Sequence, residues 1–215
     1  MPLQNRVDPF GEIHAVPERG LFTGNRGIIH DPDTRTLLRK RWALKAWLIC
    51  ACDFQGRRRE PMGRNRQGGR TGWTELFFLD EPTALSAGHR PCFYCRRPRA
   101  AEFLQRFRNV AGLAGAPTPE LDRRLHLERR ASGGLPRRLS ADALPSLPDG
   151  AMVDAGGRPF ALRQGKALPW RFAGYGAALP LSALLGPPLL LVTPLTTVEV
   201  LADGYRPDWH PTAGP

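Results

Sequence analysis

The sequence predicts an α+β fold that leans towards β: a small module with short helices closed by a cysteine knuckle, then a C-terminal β-meander with one more helix. Three observations lead there. Short apolar runs recur between turn residues, most regularly at 152–153, 160–162 and 168–172, separated by Gly156-Gly157 and Gln164-Gly165. Gly and Pro are frequent, 23 and 22 in 215 residues, so helices stop early and connections are stiff. The four cysteines form two close pairs, Cys50-x-Cys52 and Cys92-x2-Cys95. In a cytoplasmic chain such pairs indicate metal ligands before disulfides.

Residues 1–30 read as irregular and polar, with turns at Asp8-Pro9 and 24–27. Residues 37–54 roughly alternate apolar and polar, which predicts a strand carrying the first cysteine pair. Strand residues at i and i+2 share a face, so Cys50 and Cys52 are expected to point the same way. Residues 55–72 form a basic, glycine-rich loop, either mobile or held by a partner. A strand is expected at 73–79. Asp80 then caps a short helix with Pro82 in its first turn and Gly88 as its stop. The knuckle follows, and Pro98 opens a helix running to about Val110 with Phe103, Leu104 and Phe107 on its buried face. Thr118-Pro119-Glu120 starts another helix, continued by Leu121, Leu125 and Leu127.

Beyond it, 131–150 reads as a Pro/Gly/Ser-rich linker. After the meander, 189–193 is a buried strand, and Thr193 caps a helix with Pro194 at its first position. The expected organisation is therefore a metal-binding basic module at 1–115, a helix and linker at 116–150, and a small meander plus helix at 151–215. The run from strand through Asp80 and Gly88 to Arg90-Pro91-Cys92 has a counterpart near the C-terminus. There it reads strand, Thr193, Pro194, helix, Gly204, Arg206-Pro207-Asp208. Asp208 and Pro211 stand where the first copy has Cys92 and Cys95, so a repeat would leave one half without thiols. Common helix-stop chemistry would give the same likeness by coincidence.

Two thiolates at C-x2-C spacing suit one zinc ion at a tight turn, and Cys50 and Cys52 are the candidates for the other half of a tetrahedral site. His30, His89 and His126 are the substitutes if one cysteine faces the core. The charge adds a second expectation. Lys and Arg total 31 against 20 acidic residues, a formal net charge of +11, and only Lys40, Lys45 and Lys166 are lysines. So basic a chain points to DNA or RNA as partner, gripped at phosphates by guanidinium forks. The candidate contacts are Arg57, Arg58, Arg59 and Arg70 in the loop between the cysteine pairs, and Arg90, Arg96, Arg97 and Arg99 around the knuckle. Trp73, Phe93 and Tyr94 are candidates for stacking bases, against the alternative of core packing.

The stretch 77–95, ending Ala87-Gly88-His89-Arg90-Pro91-Cys92-Phe93-Tyr94-Cys95, resembles the second half of the zinc-binding domain of Ada-type DNA methylphosphotriester repair proteins. The resemblance covers about twenty residues and implies a four-cysteine zinc site in a small α+β module that lies on DNA. Cys92 and Cys95 match the last two ligands of that family. The first half differs, because C-x-C stands where the family has C-x3-C. The resemblance therefore carries zinc and nucleic-acid contact to this chain, but not methyl transfer.

Enzyme readings remain as alternatives: a cysteine alkyl acceptor using Cys50 or Cys52, or an HNH-like nuclease built on His126 and Glu128. A protein-interaction module with an acidic partner is the third class. P-loop, G-x-S-x-G and H-E-x-x-H motifs are absent, which leaves nucleotide hydrolases, serine hydrolases and zincins without support. No apolar stretch reaches the length of a membrane span, and no secretion signal is apparent, so a cytoplasmic location is expected.

Overall fold

The computed structural model describes residues 1–56 and 59–214. The N-terminal half runs β1 (Arg6–Val7), β2 (Ile13–His14), β3 (Phe22–Asn25), β4 (His30–Asp31), β5 (Thr36–Leu37), β6 (Leu48–Ala51), β7 (Leu76–Phe78), α1 (Glu81–Ser86) and β8 (Arg90–Pro91). Two longer helices follow, α2 (Arg97–Ala111) and α3 (Thr118–Glu128). The remainder runs β9 (Arg137–Leu139), β10 (Met152–Ala155), β11 (Arg158–Arg163), β12 (Lys166–Arg171), β13 (Gly174–Tyr175), β14 (Leu179–Pro180), β15 (Leu189–Leu191) and α4 (Leu195–Ala202). The α+β class, the short helices and the meander with its following helix are all present.

The strands form two main sheets. The first has the order β2-β1-β7-β3-β6-β8, and the second the order β13-β12-β11-β10-β15-β9 with β14 also on β12. In the first sheet β3 lies between β6 and β7, antiparallel to both, and the short β8 adds to β6 in parallel. Registers place Thr23 opposite both Cys50 and Phe77, and Gly24 opposite both Ile49 and Leu76. Alternate residues therefore go to opposite faces. Ile49, Leu76 and Phe78 enter a core completed by Leu85 of α1, Phe103 and Phe107 of α2, Leu121 and Leu125 of α3, and Val200 and Leu201 of α4. The other face carries Leu48, Cys50, Thr23, Asn25, Glu75 and Phe77, all of which line a cleft.

Local signals set several boundaries. Asp80 caps α1, accepting from the Thr83 N–H at 3.0 Å, and Gly88 ends the turn after it with φ +80°. The expected strand over 37–54 shrinks to Leu48–Ala51. Residues 39–45 are exposed, and their chain instead folds back so that Ala43 and Leu44 donate N–H groups to the Arg26 carbonyl. The linker at 131–150 contains β9, which pairs with β15 at the sheet edge. Thr193 does not cap α4: Pro194 takes that position, and the Thr193 hydroxyl accepts from the Met152 N–H at 2.8 Å.

The first turn of α1 gathers the C-terminal segment. Glu81 is fully buried and accepts from Arg96 (2.9 Å), the Tyr205 hydroxyl (2.6 Å) and the Asp208 N–H (2.8 Å). Asp80 accepts from the Tyr175 hydroxyl (2.8 Å) and the His210 N–H (3.2 Å). Both carboxylates thus keep several charge-assisted or strong partners while out of water, the condition under which buried charge is tolerated. In the C-terminal counterpart of the knuckle run, Gly204 has a positive φ as Gly88 does, here +103°, and Asp208 bonds Arg96 at 2.7 Å. Among the described residues, no helix is long and apolar enough to cross a membrane.

Candidate metal centre and cleft

Cys50, Cys92 and Cys95 come together. Their sulfurs all lie within 4.8 Å of one another. Cys50 arrives on β6, facing away from the core. Cys92 follows β8, which runs parallel to β6, and its N–H donates to the Ile49 carbonyl at 3.0 Å, so the two cysteines are neighbours across the ladder. The chain then turns tightly: the Arg96 N–H donates to the Cys92 carbonyl (2.9 Å) and the Tyr94 N–H to the Cys92 sulfur (3.4 Å). The backbone of Cys95 near the Cys92 sulfur, and that of Ala51 near the Cys95 sulfur, also act to lower those thiols. Backbone N–H groups aimed at sulfur favour thiolate, the ligand form.

The three thiols titrate as one group. Hydrogen bonds from Cys50 and then Cys95 pull Cys92 far below the ordinary thiol range. Cys50 is pushed well up, by its bonds to Cys92 and Cys95 and then by burial. In Cys95 the bond with Cys50 favours the thiolate, but the bond to Cys92 and burial outweigh it, and that thiol is raised. Within the cluster Cys92 is thus the thiol most disposed to be thiolate, and Cys50 and Cys95 are disposed to keep their protons. A thiophilic cation replaces those protons, and this group of donors is positioned to hold one.

Cys52 stands outside the group. The strand pattern predicts it on the face of Cys50, but β6 ends at Ala51, and Cys52 lies just beyond it, exposed at the cleft. The histidines considered as substitutes are also elsewhere. His89 is fully buried between Phe78 and Trp47, with the Arg26 Nε at 3.3 Å. His30 pairs with the Thr74 hydroxyl at 2.6 Å. His126 packs edge-on against Trp42 and meets Arg129, while both oxygens of Glu128 accept from Thr196. Those contacts occupy the residues named for an HNH-like centre.

The expected basic face is divided by the structure. Arg57 and Arg58 lie outside the described residues. Arg90 is buried and makes a two-pronged bond to Asp122, Nε at 2.7 Å and Nη2 at 2.8 Å. Arg96 is buried between Glu81 and Asp208, and Arg99 bonds Glu102 (2.9 Å) and Glu81 (3.3 Å). These three brace the knuckle and α2. Arg97 and Arg70 are exposed, and Arg70 donates to the Gln67 carbonyl at 3.3 Å. Further arginines are internal: Arg26 and Arg129 cover the two sides of the Trp47 neighbourhood at 3.8 and 3.7 Å, and burial pushes both down to about 9. These arginines are thus structural.

Arg59 lines the cleft, lying 4.1 Å over Trp73 and bonded to the buried Glu75 at 2.7 Å. Glu75 also accepts from the Met62 N–H (2.8 Å) and Asn65 (3.2 Å), and Arg64 grips Asp33 through both carboxylate oxygens. The described part of the basic loop is therefore fastened by its own chain. Of the candidate stacking rings, Trp73 and Tyr94 line the cleft, whereas Phe93 packs against the core. The cleft has a volume of about 900 Å³, and the three thiols are in its wall. Lys40, Arg66, Phe54 and Glu75 belong to it as well, although no sequence motif marks them. Glu75 does carry one signal: it alternates with Phe77, so the two share a face.

No family model, curated protein or solved structure matches the chain.

Proposed function

We propose that this chain is a zinc protein that binds nucleic acid. The observation that carries the reading is the three-thiol group in the wall of a cleft that also has Lys40, Arg59 and Arg66 in its lining. The donor set fits zinc. Two sulfurs each ~2.3 Å from a tetrahedral zinc stand about 3.8 Å apart, within the 4.8 Å spread of these three. Cys50, Cys92 and Cys95 would hold the ion, which would tie β6 to the knuckle. The likeness of 77–95 to the Ada-type zinc domain supports the same assignment. Phosphate contact falls to the cleft cations, of which Arg59 is also bonded to Glu75, and to exposed Arg97 and Arg70; Arg90, Arg96 and Arg99 are committed to Asp122, Glu81, Asp208 and Glu102.

The test has two parts. Metal content is measured on protein purified without chelator, for the wild type and for Cys50→Ser, Cys92→Ser and Cys95→Ser. One zinc per chain, lost in each variant, is expected. Binding of labelled oligonucleotides is then followed against salt. A straight fall of log affinity with log salt is expected, as counterions are released from phosphates. No binding at low salt, or binding indifferent to salt, refutes the nucleic-acid reading.

A further inference from the structure

The cleft has features that a purely structural metal site does not need. Its floor is the outer face of three neighbouring strands, where Cys50, Thr23 and Phe77 stand in one row across β6, β3 and β7. At about 900 Å³ it lies in the range of small-molecule sites, which are mostly apolar with a few placed polar groups. The apolar part combines aliphatic residues such as Leu44 and Leu48 with aromatic rings: Phe54 meets Tyr94 edge-on with centroids 5.2 Å apart, and Trp73 is backed on one side by Arg59. The charged part is cationic. Its one acid among the described residues, Glu75, is already satisfied by Arg59, Asn65 and the Met62 N–H. Flat rings beside cations suit a ligand with an aromatic face and a negative group. Bonded to Glu75 and stacked on Trp73, Arg59 has less freedom to lose on meeting a phosphate.

The thiol count points the same way. Sites closed by four protein ligands are structural, whereas three protein ligands leave a place for a ligand from outside. Cys52 is the only further thiol, and it is exposed and outside the group.

We propose that the cleft takes a single nucleoside phosphate unit, its base on the Phe54, Trp73 and Tyr94 wall and its phosphate on Lys40, Arg59 and Arg66, and that Cys52 stays out of the metal's ligand set so that one coordination place faces this ligand. The second clause rests on the zinc reading above; the first does not. A nucleoside phosphate unit is found both in an unpaired nucleotide of a strand and in a free mononucleotide, and the experiment separates the two.

Cobalt-loaded protein is titrated with adenosine monophosphate, with a short mixed-sequence single strand and with the matching duplex, by anisotropy and by the cobalt absorption spectrum. Single-strand affinity is expected to fall about tenfold or more in Phe54→Ala and in Trp73→Ala, with metal content unchanged. Phe54 serves if Trp73→Ala fails to fold. Cys52→Ser is expected to keep the full thiolate-to-cobalt intensity, and the wild-type spectrum to change on binding. Tight binding of the mononucleotide identifies the free ligand, and binding of the strand alone identifies an unpaired nucleotide. Single-strand affinity unchanged in both aromatic variants overturns the proposal. So does loss of thiolate intensity in Cys52→Ser. If the duplex still binds with a steep salt slope, the general nucleic-acid reading survives that failure. Absence of metal with Trp73-dependent binding intact would sink the zinc assignment instead.

Discussion

Replacing Asp122 by alanine tests whether Arg90 is a brace or a ligand contact. Arg90 is 6% exposed and directly precedes the Pro91-Cys92 turn. Its guanidinium is matched to Asp122 by two bonds of 2.7 and 2.8 Å, and its Nη1 donates to the Pro91 carbonyl at 3.1 Å. Without Asp122 a buried cation keeps one carbonyl and loses its counter-charge. Breaking such a pair from one side costs about 3–5 kcal/mol. In a chain of this size each kcal/mol moves the melting temperature by about 2–4 °C, so Asp122→Ala is expected to melt about 6–20 °C lower. Calorimetry on metal-loaded protein reads the shift. The double variant Asp122→Ala with Arg90→Met is expected to recover most of the loss, because the unpaired charge leaves with its partner. A single-variant shift below about 2 °C refutes the buried-pair argument. Tighter oligonucleotide binding by Asp122→Ala would show that freeing Arg90 creates a phosphate contact, and the brace assignment would fall.

Metal binding should be strongly pH-dependent. Thiols bind metal as thiolates, and Cys50 and Cys95 are raised, so the ion competes with protons for them. Affinity should then fall steadily on acidification, and a zinc competition titration indifferent to pH contradicts this. Glu81 should shape the acid limb of stability. Burial raises its carboxyl, but the Arg96 charge and the bonds from Arg96 and Tyr205 outweigh burial and hold it below the ordinary glutamate value. Its contribution is full above that ordinary value, about 4.3, and is lost as pH falls through the lower folded value. Urea midpoints measured below about pH 4.5 should therefore depend less on pH in Glu81→Gln, and an unchanged slope would count against it. Gly24→Ala should damage both fold and site. A Cβ there would sit 2.0 Å from the Leu48 carbonyl oxygen, so β3 and β6 must part. A loss of about 1–3 kcal/mol in unfolding free energy and weaker metal retention are expected, and an unchanged urea midpoint would exclude the clash.

Features set by neighbours in the chain are legible in the sequence itself. Asp80, Pro82 and Gly88 delimit α1 because cap, first-turn proline and left-handed stop act within a few residues. Gly156-Gly157 and Gln164-Gly165 place the meander turns for the same reason, and Cys92-x2-Cys95 forms its knuckle from one tight turn. The choice between Cys50 and Cys52 is not available at that level. Both line the cleft, and only the parallel addition of β8 to β6, some forty residues away, brings one of them beside Cys92. The arginines show the same limit. Their number predicts a basic surface, but Arg96 finds Asp208 across 112 positions and Arg90 finds Asp122 across 32. A charge count contains no information about which guanidiniums meet a carboxylate out of water. The cleft belongs wholly to tertiary structure, because it exists only where β7, β3 and β6 lie side by side and turn Glu75, Thr23 and Cys50 to the same face.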